Sequence, residues 1–274
     1  MRLLIAADME GISGVVSWDH VNIEHPEYQR FRRIMTQDVN AAVQGAFEGG
    51  ASEVIVTDGH WNSTNILIEE LDPRVRLNSG SPSPFSMVEG VADNIDAAMF
   101  IGYHARMGTP NAILDHTWSS TRVENLWLNQ RLAGETALNG ALCGAFGVPV
   151  LLVSGDQALC AEAAEWIEGI FTIQVKKALG RNAADCLPLA ETQSRIKDGA
   201  AQAVRNFLDG AAPVPLDLPA PIQVGIEFMY SDMADRAALL PGSVRTDGRR
   251  VDFSAVDMPS AYQGFRAAVT LARR

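Results

Sequence analysis

The chain has 274 residues, of which 47% are hydrophobic and 20% are charged, a composition typical of a folded globular protein with a substantial interior. Its 22 Lys and Arg residues against 33 Asp and Glu residues give a formal net charge of -11 at pH 7. Because this charge repels polyanions, we expect neither a nucleic acid nor a membrane surface as a partner.

The N-terminal apolar run is too short for a signal peptide or a membrane span. Residues 3–7 are apolar, and Asp8 then interrupts the run. We therefore expect a cytoplasmic protein. The three cysteines, Cys143, Cys160 and Cys186, form no C-x-x-C pair, so we expect all three to be small buried side chains rather than zinc ligands or disulfides.

Continuous apolar runs alternate with helical patterns along the first 167 residues. Strands are predicted at residues 3–7, 54–56, 97–102 and 148–153, and helices at 28–48, 135–146 and 157–166. Strands that are apolar throughout, rather than at alternate positions, are typical of a parallel sheet covered on both faces. We therefore predict an α/β fold with a mostly parallel sheet core and helices on both faces.

The pattern changes in two places. Residues 116–133 predict a hairpin with Asn129 and Gln130 at its turn. Beyond residue 167 we expect a smaller α+β portion, with strands at 172–176 and 222–229, helices at 191–208 and from Pro259, and a Pro-rich link at 212–221. Residues 1–167 would then form an α/β core with the hairpin as an insertion. Residues 168–274 would pack on it, C-terminal helix included, as one compact unit.

Two carboxylates, Asp8 and Glu10, follow the first predicted strand and precede Gly11. If the extended conformation continues, residues two apart share a face, so both carboxylates can point to one side. Converging carboxylates repel each other unless one is protonated or a cation lies between them. A turn in which Asp8 caps the next element would give the same pattern, and the residues alone leave both interpretations open.

Two of the five histidines, His60 and His104, directly follow predicted strands. The carboxyl ends of parallel strands meet at one edge of a sheet, where ligands bind. Either histidine by itself would be an ordinary loop residue, but the two beside an Asp-x-Glu strand end favour a metal site. Imidazole and carboxylate donors without thiolate suit zinc, or manganese or cobalt. His20 and His25 lie in a polar loop, and we expect them to be solvated.

Seven short stretches resemble a known family in sequence and in order. They are ADMEGISG (7–14), VTDGHWNSTN (56–65), PFSMVEG (84–90), FIGYHARMGTP (100–110), LDHTW (114–118), LAGETALN (132–139) and DMPSAYQ (257–263). Each stretch is a weak signal by itself, whereas seven in order across nearly the whole chain are a strong one. The sequence resembles the D-aminopeptidase DppA family, peptidase family M55.

This resemblance implies a metallopeptidase with two zinc ions per subunit, and it makes residues 1–167 the metal-binding catalytic core. The family's zinc ligands correspond to Asp8, Glu10, His60, His104 and Glu135, with Asp8 as the bridging carboxylate. Without the resemblance, Glu135 would be an ordinary first-turn glutamate at a helix N-terminus. The family's catalytic histidine corresponds to His116, which we expect to act as a general base or acid or to stabilise the oxyanion. The resemblance assigns no role to Asp115.

The implied activity is release of N-terminal D-amino acids such as D-Ala from short peptides. The implied assembly is a homodecamer of two stacked pentamers that enclose the active sites. Two alternatives remain open. One is a dinuclear hydrolase that acts on another amide, ester or phosphate bond, because these ligands do not specify a substrate. The other is a non-catalytic dipeptide-binding protein.

Overall fold

The computed structural model describes residues 1–273. Its strands are β1 (Arg2–Ala7), β2 (Glu53–Asp58), β3 (Arg76–Asn78), β4 (Ala97–Ile101), β5 (Val123–Leu128), β6 (Arg131–Ala133), β7 (Val150–Asp156), β8 (Phe171–Gly180), β9 (Ala183–Cys186), β10 (Ile222–Phe228), β11 (Val244–Arg245) and β12 (Arg250–Ala255). Its helices are α1 (Trp18–Val21), α2 (Tyr28–Gly49), α3 (Glu135–Ala145), α4 (Gln157–Trp166), α5 (Leu189–Leu208), α6 (Ser231–Ala237) and α7 (Met258–Leu271).

The strands form two sheets. The large sheet has the order β3-β2-β1-β4-β7-β8-β9 and is parallel except for β9, which runs antiparallel to β8. The small sheet is antiparallel and has the order β11-β12-β10-β5-β6. The predicted α/β fold with a mostly parallel core sheet is therefore confirmed.

Both faces of β1 are buried, which explains its continuous apolar sequence. Leu3, Ile5 and Ala7 join a cluster that includes α2 and α5. Leu4 and Ala6 face the opposite cluster, which includes α3, α7 and the small sheet. Each of these side chains is fully buried, and burial of one leucine or isoleucine stabilises the fold by about 2 kcal/mol.

Sheet membership crosses the division that the sequence suggests at residue 167. Strands β8 and β9 extend the large sheet, and α5 packs along α2. Strands β5 and β6, which precede residue 167, pair instead with β10 in the small sheet. Sheet membership crosses residue 167 because strand pairing is decided by tertiary contacts and not by position in the chain. The two-part domain organisation stays a prediction.

The hairpin prediction is right about the turn. Asn129 and Gln130 connect β5 to β6, and both have positive φ angles, 47° and 68°. The first strand of the hairpin begins only at Val123, however, and residues 116–122 form a loop. Strands β3, β9, β11 and β12 and helices α1 and α6 were not predicted, and His20, expected in a polar loop, lies in α1. Several of these elements are too short to show a hydrophobic period.

The prediction of three buried cysteines holds fully only for Cys143. Cys143 is buried and Cys160 is half-buried, but Cys186 is exposed. Cys186 ends β9, the edge strand of the large sheet, where one side lacks a covering neighbour. Across residues 1–273, no helix has both the length and the apolar character needed to cross a membrane.

Candidate metal centre

The carboxyl ends of three neighbouring strands meet at one edge of the large sheet. Asp8 and Glu10 follow β1, His60 follows β2, and His104 follows β4. Glu135 is the first residue of α3 and reaches the same place. All five side chains are buried, so the structure brings the predicted ligands together in a site shielded from water.

Asp8 lies between two histidines. Its Oδ1 is 3.3 Å from Nδ1 of His60, and its Oδ2 is 3.3 Å from Nε2 of His104. Each histidine also faces a glutamate: His60 Nδ1 is 3.2 Å from Oε2 of Glu10, and His104 Nε2 is 3.2 Å from Oε1 of Glu135. The five residues therefore form two sets of three donors that share Asp8.

These separations fit a metal better than direct hydrogen bonds. An N–H···O bond is usually about 2.9 to 3.0 Å long, whereas donors about 2.0 to 2.1 Å from a tetrahedral zinc ion lie about 3.3 Å from each other. Glu10 Oε2 and His104 Nε2 are buried and make no hydrogen bond with any part of residues 1–273. Carboxylate and imidazole donors without thiolate fit zinc.

Three histidines direct one ring nitrogen each towards this cluster. In each ring the other nitrogen donates to a backbone carbonyl, which fixes the ring orientation and makes the nitrogen that faces the cluster the one that can bind a cation. The donors and acceptors are His60 Nε2 to Val21 O at 3.0 Å, His104 Nδ1 to Ala105 O at 3.0 Å, and His116 Nδ1 to Leu114 O at 2.9 Å.

His116 lies beside the cluster. Its ring stacks on that of His104, with centroids 4.0 Å apart. Its Nε2 is 3.9 Å from a carboxylate oxygen of both Glu10 and Glu135, farther than the separations made by the other two histidines. Burial, together with the positive charge of His104, lowers the pKa of His116 below its ordinary value. This favours the neutral ring, which can accept a proton.

The buried acids are held in their ionised form. Burial opposes ionisation of Asp8, but hydrogen bonding to His104 and His60 outweighs it and lowers the pKa of Asp8. Burial likewise opposes ionisation of Glu10, and the charge of His60 more than compensates, so the pKa of Glu10 is lowered. The cluster therefore presents negative charge to any bound cation.

Two residues hold Glu10 in place. A Cβ at Gly11 would lie 1.8 Å from the carbonyl oxygen of Tyr103, so only glycine fits there. Lys176 is fully buried, and its Nζ donates to the carbonyls of Glu10, Ile12 and Val15 at 2.7, 2.9 and 2.7 Å. Sequence reasoning missed Lys176, because the carbonyls that it contacts lie more than 160 residues away in the chain.

Glu135 is oriented from two sides. Its Oε1 accepts a 2.6 Å hydrogen bond from the backbone N–H of Trp118. Gly134 precedes it at the helix N-terminus, where a Cβ would lie 2.3 Å from Oε1 of Glu162. The close approach of Glu162 explains why the LAGETALN stretch has glycine at this position.

The loop that carries His60 is held by Asp58 and Asn65. Asn65 Nδ2 donates to the carbonyl of His60 at 2.6 Å and to Oδ1 of Asp58 at 2.8 Å. Asp58 Oδ2 accepts the backbone N–H groups of Asn65 and Ile66. The sequence does not distinguish these two supporting residues, because Asp and Asn are equally common in ordinary turns.

Comparisons with known proteins agree with this geometry. A family model described as peptidase M55, D-aminopeptidase, matches residues 1–267. A D-aminopeptidase of Bacillus subtilis (strain 168) is 38% identical over 276 aligned residues, which cover 100% of this chain and 98% of the relative.

A solved structure is similar throughout. It is described as the Zn-dependent D-aminopeptidase DppA from Bacillus subtilis, a self-compartmentalizing protease, and it is 37% identical with a TM-score of 0.95. The match covers 100% of this chain and 98% of that one. The resemblance seen in the sequence is therefore confirmed, and the chain belongs to peptidase family M55, the D-aminopeptidases, which are metallopeptidases.

Proposed function

We propose that the protein is a dinuclear zinc aminopeptidase that releases N-terminal D-amino acids, D-Ala among them, from short peptides. The similar solved structure is described as a Zn-dependent D-aminopeptidase, which supports both the metal and the substrate class. The observation that carries the two-ion stoichiometry is the position of Asp8, whose two oxygens each face a different histidine at 3.3 Å.

In this proposal Asp8 would be the ligand that the two ions share. Glu10 and His60 would complete one set of ligands, and His104 and Glu135 would complete the other. The charge of the site supports two zinc ions. Three buried carboxylates would keep a net charge of about -1 with one zinc ion and about +1 with two, and uncompensated negative charge is costly to bury. A net positive site suits the oxyanion that forms when a peptide bond is attacked.

The protein supplies a proton carrier next to the cations. Zinc, when bound in pairs, supplies Lewis-acid chemistry that polarises a carbonyl and activates water near neutral pH. His116 Nε2 has a free lone pair because its Nδ1–H is bonded to Leu114 O. It therefore takes a proton from the attacking water at Nε2 and delivers it to the leaving amine.

A closed homo-oligomer, a decamer by the family resemblance, is part of the proposal. The similar solved protein is described as self-compartmentalizing. Large apolar side chains at this chain's surface would be covered in such an assembly, among them Trp61, Ile68 and Leu179, which are 65%, 70% and 66% exposed. A cytoplasmic location stays a prediction.

Hydrolysis of D-Ala-D-Ala compared with L-Ala-L-Ala tests the function, with metal content measured on the same purified sample. We expect two zinc ions per chain and turnover of the D-dipeptide that is lost on chelation and restored by zinc. A tightly bound metal pair without turnover of either dipeptide would contradict the peptidase assignment. It would favour a different amide, an ester or a phosphate bond, which a panel of such substrates would identify.

A further inference from the structure

The segment that carries His116 has a constrained backbone. Leu114, two residues before it, has a φ angle of 49°, in the left-handed region that disfavours side chains other than glycine. Its carbonyl accepts the hydrogen bond from His116 Nδ1. The orientation of the His116 ring therefore depends on a turn that local sequence preference does not stabilise, so neighbouring contacts must hold it.

Arg181 provides several of these contacts. It lies in the turn between β8 and β9, far from His116 in sequence. Its carbonyl accepts the N–H of Leu114 at 3.0 Å, and its Nη2 donates to the carbonyl of Asp115 at 2.8 Å. Its Nε is 2.7 Å from Oδ1 of Asp115. One residue thus holds the two residues that precede His116 through both its backbone and its side chain.

Asp115 fastens the same turn on its other side. Its Oδ2 accepts the backbone N–H of Gly108 at 2.7 Å, in the loop that follows His104. The side chain is 9% exposed, so its charge is poorly solvated and depends on Arg181 and on this N–H. Asp115 therefore connects the β8–β9 turn to the loops that carry His104 and His116.

A second contact runs through an aromatic ring. The guanidinium of Arg181 lies 5.8 Å from the ring centroid of Trp18, and the Trp18 ring meets that of His116 edge-on at 5.4 Å. Arg181 therefore contacts both the backbone of the two residues that precede His116 and the Trp18 ring, against which the His116 imidazole packs.

We propose that Arg181 and Asp115 are a positioning pair that holds the imidazole of His116 in place for proton transfer, with Arg181 supplied by the β8–β9 turn. This inference rests on the proposed role of His116 in peptide hydrolysis. Arg181 and Asp115 touch neither substrate nor metal and act only through His116.

The test is a double-mutant cycle on zinc-loaded enzyme with D-Ala-D-Ala as substrate. We expect Arg181→Met to lower kcat about tenfold to a hundredfold with KM changed less than about threefold and both zinc ions retained, because a displaced catalytic group affects turnover more than binding. Asp115→Asn should act in the same direction. Arg181→Lys, which keeps the charge and can replace part of the hydrogen bonding, should restore part of kcat.

Dependence on His116 separates positioning from general support of the fold. In a His116→Ala background, Arg181→Met should lower kcat less than about twofold, because the group on which it acts is missing. Arg249→Met is the matched control: Arg249 is similarly exposed and also pairs with a carboxylate, Glu227 at 2.6 Å, but in the small sheet. It should leave kcat unchanged.

An equal loss of kcat from Arg181→Met with and without His116, or loss of zinc, would overturn the inference. A crystal structure of Arg181→Met decides the matter where residual activity of His116→Ala is too low to measure. A displaced His116 ring supports the pair, and an unmoved ring contradicts it. The crystal structure also tests the pair if the wild-type enzyme cleaves no D-aminoacyl peptide, a result that would contradict the proposed function alone.

Discussion

Acidic side chains differ in burial and in charged partners between the small sheet and the carboxyl edge of the large sheet. In the small sheet, Glu227 pairs with Arg249 at 2.6 Å and Asp252 with Arg250 at 2.8 Å, all partly exposed. At the edge of the large sheet the three acids Asp8, Glu10 and Glu135 are buried. Within residues 1–273, their charged side-chain partners there are histidines, with no Lys or Arg side chain paired to their carboxylates.

This difference separates acids whose charge is already compensated by arginine from acids that are available to bind a cation. An exposed pair with arginine is neutral and solvated, and it contributes little to stability. Three buried carboxylates with no Lys or Arg among their partners depend on histidines or a bound cation to compensate their charge, because burial removes them from water. The convergence of three buried acids on shared histidines, with no Lys or Arg among their partners, therefore marks the metal centre more clearly than residue type alone.

The largest effect is expected from Asp8→Asn, which removes the shared carboxylate of the cluster. We expect loss of at least one zinc ion per chain and a decrease in kcat of at least about a thousandfold, since metal catalysis contributes several kcal/mol. Metal analysis and kcat on D-Ala-D-Ala measure both. Asp252→Asn in the small sheet is the control and should retain both properties. Full zinc binding by Asp8→Asn would contradict the bridging role.

Replacement of His116 should separate chemistry from metal binding. His116→Ala is expected to lower kcat about a hundredfold to ten-thousandfold while both zinc ions remain, because general acid–base catalysis contributes about that much. Metal content and steady-state kinetics on the same sample provide the measurement. Loss of zinc from this variant would instead make His116 a ligand, and unchanged kcat would remove it from the reaction.

Glu162 is a buried acid that forms no ion pair with any side chain of residues 1–273, and we expect it to affect stability through pH. Burial raises its pKa to about 7, from an ordinary value of 4.5. As pH rises from about 4.5 to 7, the unfolded chain releases this proton while the folded chain keeps it, so the group's contribution to stability falls. Its Oε2 accepts a hydrogen bond from the backbone N–H of Arg106, and the side-chain oxygen of a glutamine can accept the same bond.

Glu162→Gln removes this pH dependence. Relative to wild type, the variant should gain stability between pH 5 and pH 8, by at most about 3 kcal/mol. Thermal unfolding at both pH values, with zinc present throughout, measures the gain. Parallel behaviour of the two proteins across this range would show that the Glu162 carboxyl is ionised in the folded state.

The smallest effect is expected in the small sheet. Arg249→Ala breaks the pair with Glu227, and we expect the free energy of unfolding to change by less than about 1 kcal/mol, because exposed pairs are screened by water. Activity and zinc content should not change. A large loss of activity or of zinc would show that the small sheet contributes to the metal centre.

Prediction from sequence worked where pattern and chemistry are local. The apolar run of β1 predicted a buried parallel strand, and the residues after β1, β2 and β4 predicted a polar edge, because parallel strands align their carboxyl ends. Glu135 was different. Its position at a helix N-terminus has an ordinary electrostatic explanation, and only the family resemblance pointed to the metal.

Long-range contacts were beyond the sequence. Lys176 occupies a strand position that reads as ordinary, yet its Nζ reaches three carbonyls more than 160 residues away. Arg181 lies in a turn, and its link to the residues before His116 becomes visible only once the β8–β9 turn is placed. No local period or spacing encodes such pairs.

The sequence by itself determined the class of fold, the polar edge and the kinds of donor atoms, because periodicity and side-chain chemistry are properties of short stretches of chain. Only the tertiary structure decided how the donors divide. It placed Asp8 between two histidines and His116 beside them, and it moved β5 and β6 into the small sheet. Distances between residues far apart in the chain arise from packing, which satisfies many contacts at once.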